Sequence, residues 1–411
     1  MLALNGGRLI DGMGGPPLSN ATVLVNDQCR IGAVGPQGSV ALPPNCRVID
    51  ISGRTLLPGL IDCHDHLTSF GYDLMGRWGR AEPRSTRTLR VANVMEETLL
   101  SGYTSIRDCG WLDVGYKQAV DQGLVPGPRL RIATSPLSPT QGTQNRSSPS
   151  GHHQPASANP NLPKGIADGP NEVRAMVREV VRVGADFIKF FNTGFGRETQ
   201  NGTTRSYTAE ETQALVDEAH IHGKAVACHA LGGAGLRTAI EAGVDSVEHG
   251  CLMGSEPDLL KMMADNGSYL VPTFTVFTFH AAHGNPHAQI EAREFRQQHV
   301  ETVQQAIAAG VKVVAGTDAG GWEHGNNAKE LELLVAAGMT PMQSLVAATG
   351  WAAGCLGLEA SIGTVEPGKL ADLIVVDGDP LTDITVLQNK QRISLVMKDG
   401  QVYLDRISGK D

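Results

Sequence analysis

The sequence predicts an α/β fold: a barrel of eight β/α units, (β/α)8, joined to a smaller sheet domain built by both ends of the chain. Three observations predict it. The chain has 411 residues, more than one ordinary domain needs and enough for a barrel of ~250 residues or more plus a module. Its middle alternates short apolar runs with helical patterns that end in glycine. Its two ends are β-rich and unlike the middle, and chain ends commonly lie close together in space, so they pair into one sheet.

In order along the chain, Val23-Leu-Val and Arg30-Ile-Gly-Ala-Val read as strands, punctuated by Gly6-Gly7, Gly14-Gly15-Pro16-Pro17 and Pro43-Pro44. Eight apolar runs follow: Gly59–His64, Thr104–Asp108, Arg129–Ile132, Phe187–Phe191, Ala225–His229, Ser246–His249, Tyr269–Pro272 and Val313–Asp318. Helices are expected over Glu172–Gly184, Ala209–Gly223 and His299–Gly310, each stopped by glycine. The polar stretch Ser135–Pro163 is too long for an ordinary connection and reads as a long loop after the third strand, either a lid over a site or a disordered segment. At the far end, Ala371–Asp377 and Ile393–Tyr403 are strands again. The expected division is residues 1–56 with 367–411 as the small domain, and 57–366 as the barrel.

Composition narrows the function. At 41% hydrophobic and 19% charged residues, the chain can bury a large core. With 34 Lys+Arg against 43 Asp+Glu, it has no basic excess with which to hold nucleic acid or an anionic membrane. The uncharged stretch Thr340–Leu358 is broken by Pro341, Gln343 and Ser344, so a buried helix is expected and not a membrane span. The seven cysteines are odd in number and lack C-x-x-C spacing, and the first residues carry no basic-then-apolar leader. These features point to a reduced, cytoplasmic enzyme acting on a small-molecule substrate; a homo-oligomer is the expected assembly.

The chemistry sits at the ends of the apolar runs. His64 and His66 are two apart, so an extended strand points both to one face. Lys189 lies in the fourth run, His229 ends the fifth, His249 the sixth and Asp318 the eighth. Strand ends of a barrel converge on one pocket, and imidazole with carboxylate suits zinc or a related divalent ion. Any one of these histidines alone would read as a hydrogen-bonded core residue. A lysine inside an apolar strand is costlier to bury unless neutralised or modified. It is the joint placement that marks a metal site.

The motifs Leu57-Pro-Gly-Leu-Ile-Asp-Cys-His-Asp-His, Gly184-Ala-Asp-Phe-Ile-Lys, Glu241–Gly250, Gly316-Thr-Asp and Gly363–Asp377 together resemble the amidohydrolase superfamily. The resemblance is to the branch with metal-dependent Xaa-Pro dipeptidases, with imidazolonepropionase more distant. It implies a TIM barrel flanked by a small β-sandwich domain formed by both termini. It also implies two divalent metal ions, most simply Zn: His64, His66 and Asp318 on one, His229 and His249 on the other, and Lys189 bridging them after carboxylation by CO2. Two such ions would acidify a bridging water into a hydroxide nucleophile, with Asp318 as base and then acid. No acid follows His229, where the sequence reads Ala-Leu-Gly-Gly, which argues against deamination.

The expected reaction is hydrolysis of an amide bond in a dipeptide or N-acyl amino acid. Leu231 and Gln141-Gly-Thr-Gln depart from the dipeptidase pattern, which keeps non-peptide amides, carbamates or lactones, xenobiotics included, as the alternative. A binding protein that merely retains the fold is disfavoured by the intact ligand set. Arg80, Arg84 and Arg87 have helical spacing and could fork onto a substrate carboxylate, but a solvated helix face is the favoured reading, and Pro83 disturbs the helix. Phe277 and Trp322 fall after the seventh and eighth runs and are candidate substrate contacts. The alternation Thr273-Phe-Thr-Val-Phe-Thr-Phe reads equally as a strand extension with one buried face.

Overall fold

The structure, a computed structural model, describes residues 1–70, 83–147, 150, 153–154, 159–194, 202–254, 256–284 and 286–409. Arg80 and part of the Ser135–Pro163 stretch lie outside the described residues. The chain begins with β1 (Leu2–Leu9), β2 (Leu18–Val25), β3 (Ile31–Pro36), β4 (Arg47–Asp50) and β5 (Thr55–Pro58). Then come parallel strands β6 (Leu60–Asp65), β7 (Tyr103–Asp108) and β8 (Arg129–Ile132), with helices α1 (Arg84–Leu100) and α2 (Val114–Asp121) between them. A two-residue hairpin, β9 (Arg146–Ser147) and β10 (His153–Gln154), interrupts the following loop.

A second parallel sheet of five strands follows: β11 (Ile188–Phe191), β12 (Val226–Ala230), β13 (Ser246–His249), β14 (Tyr269–Val271) and β15 (Lys312–Val313). Their residues are almost all buried, as parallel strands covered on both faces require. Backbone hydrogen bonds join this sheet to the first at both margins. Cys63 N–H donates to Ala315 O at 2.9 Å and His66 N–H to Ala319 O at 2.9 Å; opposite, Asp186 N–H donates to Ile132 O at 2.8 Å and Leu137 N–H to Lys189 O at 2.9 Å. The last strands, β16 (Leu373–Val376), β17 (Ile393–Lys398) and β18 (Gln401–Asp405), return to the first five and complete one eight-stranded sheet. Leu4, Val23, Ile49, Leu56, Val375 and Leu395 form its own core. Arg129 of β8 pairs with Asp372 and Asp399 and ties that sheet to the rest.

The helices follow their patterns where an apolar stripe exists. In α3 (Gly169–Arg182), Val173, Val177 and Val180 recur at helical spacing and are buried. α4 (Ala209–Ile221) starts on a capping box of Thr208 with Glu211. Next come α5 (Gly233–Glu241) and α6 (Pro257–Asn266), the latter closed by Gly267 at φ +72°. Two helices differ from expectation. The Thr/Phe alternation forms α7 (Phe274–His283), not a strand. Its first amides, on Phe274 and Thr275, donate at 2.9 and 2.8 Å to the buried carboxyl of Glu330. That distant residue supplies a cap which the local sequence lacks. α8 (Pro286–Ala308) begins well before His299, because its first half is polar and largely exposed, leaving no apolar period to read. α9 (Lys329–Ala336), α10 (Pro341–Ala347) and α11 (Gly350–Cys355) complete the helices, so Thr340–Leu358 holds two short helices. No described helix is long and apolar enough to cross a membrane.

Candidate metal and active site

Strand register sets the site. In parallel pairing Lys189 lies opposite Ala227 and Phe191 opposite His229, so Lys189 and His229 project to one face two positions apart. One strand over, Ala230 is opposite His249. The rings of His229 and His249 are 4.5 Å apart, those of His249 and His64 5.1 Å, and those of His64 and His66 5.4 Å. Asp318 Oδ1 lies 3.3 Å from His66 Nε2 and 3.7 Å from His64 Nε2. Donor atoms of His64, His249 and Asp318 fall within 4.8 Å of one another. Residues far apart in sequence therefore meet at the carboxyl ends of neighbouring strands.

Backbone geometry reinforces the placement. His249, Thr273 and Asp318 have φ of +76°, +55° and +54°, the left-handed region that non-glycine residues seldom occupy. Such conformations persist where surrounding structure enforces them, and they cluster at functional sites. Gly316 is enforced too: a Cβ there would stand 2.9 Å from His64 Cβ. Asp62 fastens the strand end to the loop that carries Asp318. One of its oxygens accepts from His64 N–H at 2.9 Å and Thr317 N–H at 3.1 Å, the other from Thr317 Oγ1 at 2.6 Å and Asn327 Nδ2 at 2.7 Å. Burial pushes Asp62 up to about 6 against these hydrogen bonds.

The electrostatics suit a cation. Burial holds His64, His229 and His249 well below the ordinary histidine range, with neighbouring positive charge, Lys189 included, acting the same way. Their imidazoles are thus neutral, the form that ligates metal. Lys189 is fully buried and its Nζ has no hydrogen-bond partner, an orphaned polar atom of the kind that marks a missing group. The donor set and this atom fit a metal centre.

The sequence reading missed the residues that orient the ligands. His64 Nδ1 lies 2.6 Å from Glu248 Oε2. Burial opposes charge on Glu248, but Arg107 and Lys189 outweigh it and hold the carboxylate below its usual range. Arg107 Nη2 donates to Glu248 Oε1 at 2.6 Å, as does Ser246 Oγ at 2.6 Å. An ionised acceptor fixes the proton on Nδ1 and leaves Nε2 open toward Asp318. Thr273 Oγ1, 2.7 Å from His249 Nδ1, fixes the orientation of that ring. Glu248 was visible beside His249, but nothing local marked it. Glu248→Gln, which can present an N–H to Nδ1, should lower metal affinity by ~10-fold or more; unchanged metal binding in a competition titration would assign Glu248 to packing alone.

Around the ligands, the Trp111 ring lies 5.1 Å from that of His66, and Gln144 Oε1 accepts from Trp111 Nε1 at 3.4 Å. Phe277 stands edge-on to His249 at 5.9 Å. Trp322 is buried and donates from Nε1 to Thr317 O at 3.0 Å, in a cluster with Val276, Ala319 and Phe277. Arg87 donates to Thr68 O and lies 4.6 Å from the Phe70 ring, so it is engaged within the protein.

Comparison with known proteins agrees with this arrangement. The chain is 30% identical to ochratoxinase of Aspergillus niger, over 97% of this chain and 85% of that one. It is 29% identical to imidazolonepropionase of Rhizorhabdus wittichii, over 86% of this chain and 88% of the relative. A crystal structure of a Xaa-Pro dipeptidase with bound methionine in its active site superposes with a TM-score of 0.87 at 32% identity, covering 98% of this chain and 99% of the other. The model of the amidohydrolase family matches residues 55–403. On the sequence match and the strand-end constellation alike, this chain belongs to the amidohydrolase family.

Proposed function

We propose that the chain is a metal-dependent hydrolase of amide C–N bonds. The observation that carries this is the convergence of His64, His66, His229, His249 and Asp318 around a buried lysine whose Nζ has no partner. His64, His66 and Asp318 would hold one divalent ion and His229 and His249 a second, zinc being favoured by the imidazole-rich donor set. Lys189, carboxylated by CO2, would join the two. The proposal includes closure of the eight parallel strands as a barrel over residues 57–366, with 1–56 and 367–411 forming a small β-sandwich domain. A reduced, cytoplasmic setting and a homo-oligomer belong to it as well, the former supported by seven free cysteines.

Bound metal supplies Lewis acidity toward the scissile carbonyl and lowers the pKa of water. The chain's own residues do the rest. Asp318 accepts the proton of the attacking water at its carboxylate and returns it to the leaving nitrogen. Glu248 keeps His64 in one tautomer and Thr273 orients the His249 ring, and Asp62 keeps Asp318 in register with β6. Phe277 and Trp111 form apolar walls against His249 and His66 that limit water.

Dipeptides or N-acyl amino acids are the first substrate class, supported by the likeness to the Xaa-Pro dipeptidase. Non-peptide amides, carbamates or lactones are the second, supported by 30% identity to the relative named ochratoxinase across nearly the whole chain. A panel of dipeptides and N-acyl amino acids against aryl amides and carbamates decides between them. No turnover of any member by metal-replete protein would defeat the hydrolytic reading. Phe277→Ala should raise KM for substrates with a bulky apolar group by ~10-fold and leave small ones nearly untouched. Trp322→Ala should do the same and also lower Tm, because that ring is buried and hydrogen-bonded. Equal effects on bulky and small substrates would assign both aromatics to the core.

A further inference from the structure

Behind Phe277, away from the candidate metal ligands, lies a cavity of about 120 Å³ between α7, α8 and α9. Phe274, Phe277, Phe295, Val300 and Leu333 give it an apolar lining. A closed cavity of about 150 Å³ lined by such groups takes up benzene, and this one, slightly smaller but open at its mouth, is sized for a single aromatic ring. Its inner end is dry: Phe274 and His299 are 7% and 2% exposed. Its mouth is open, with Thr278 and Arg296 exposed and Ala281 half-buried. Arg296 brings positive charge to the mouth, no acidic residue lines the cavity, and Arg296 makes no ion pair among the described residues. The buried ring of His299 lines the inner end. It lies 4.2 Å from that of Phe274 and 5.2 Å from that of Phe277.

An apolar slot with aromatic walls and an unpaired arginine at the rim matches an amphiphilic anion. We propose that this cavity binds a small aryl carboxylate, its ring between Phe274, Phe277 and Phe295 and its carboxylate on the Arg296 guanidinium. A guanidinium pairs with a carboxylate through two parallel N–H donors, and stacked or edge-on rings add to simple burial. The site is distinct from the candidate metal centre and shares one wall with it, because Phe277 contacts His249 and His299 alike. The inference stands whether or not the chain hydrolyses amides.

The test is a ¹⁹F NMR titration of the intact protein with 4-fluorophenylacetate, using 4-fluorotoluene as the uncharged control. Saturable binding at one site per chain is expected, with the control weaker. Arg296→Gln, a surface change that leaves folding intact, should weaken binding by about tenfold. Ala281→Trp, which plugs the mouth from its rim, should abolish it, while His66→Ala should leave it unchanged. Binding lost in His66→Ala and kept in Ala281→Trp would put the carboxylate at the metal centre and overturn the proposal. No saturable binding, or equal affinity in wild type, Arg296→Gln and Ala281→Trp, would overturn it too. So would an Ala281→Trp protein of half the wild-type mass by light scattering, with no ligand bound by either, since a second copy would then fill the groove.

Discussion

Replacing Lys189 by Ala should remove metal and activity together. Wild-type protein should contain close to two divalent ions per chain by elemental analysis. The variant should contain far less, with turnover reduced by ~10²-fold or more, since metal supplies the electrophile and the acidified water. The physical basis is the burial of Lys189 Nζ with no hydrogen-bond partner in the midst of three imidazoles. An ammonium left unpaired there would cost several kcal/mol of desolvation, whereas the charge of a carbamate would be balanced by the divalent ions it ligates. Added short carboxylates should partly restore both metal and turnover by standing in for the carbamate. A wild type with one metal, together with a Lys189→Ala variant at full turnover, would falsify the two-metal reading.

Asp318→Asn should separate binding from proton transfer. The amide keeps an oxygen near His66 Nε2, where the carboxylate oxygen lies at 3.3 Å, but it cannot accept the proton of an attacking water. Turnover is therefore expected to drop by ~10²-fold or more, with a smaller loss of metal. The loop itself should survive, because Thr317 remains held by Asp62 and Trp322. If the variant stays within a few-fold of wild-type turnover at full metal load, Asp318 serves as ligand only.

The candidate ligands were legible in the sequence because each lies in, or at the end of, a short apolar run. That is a local pattern, and a period of two fixes which side of a strand a residue faces. The division of these residues into two sets came from the family resemblance, and the parallel register then places His229 and His249 on neighbouring strands. The same local logic found α3 and α4, whose buried stripes or caps lie within their own residues. It failed at α7 and at the first half of α8. There the deciding contacts were a cap from Glu330, 56 residues from Phe274, and a surface with no apolar period.

What the sequence by itself determined is the inventory: which residue types stand at the strand ends, in what order, and which segments are strands. What the tertiary structure alone decided is the state of those residues. The orientation of His64 depends on Glu248, 184 positions away, and that carboxylate is in turn held ionised by Arg107 of a third strand. Periodicity reports which face a side chain takes. Tautomer, charge and a cavity wall such as Phe277 arise from contacts between segments whose separation along the chain carries no signal, and in a dry interior those contacts are strong enough to decide.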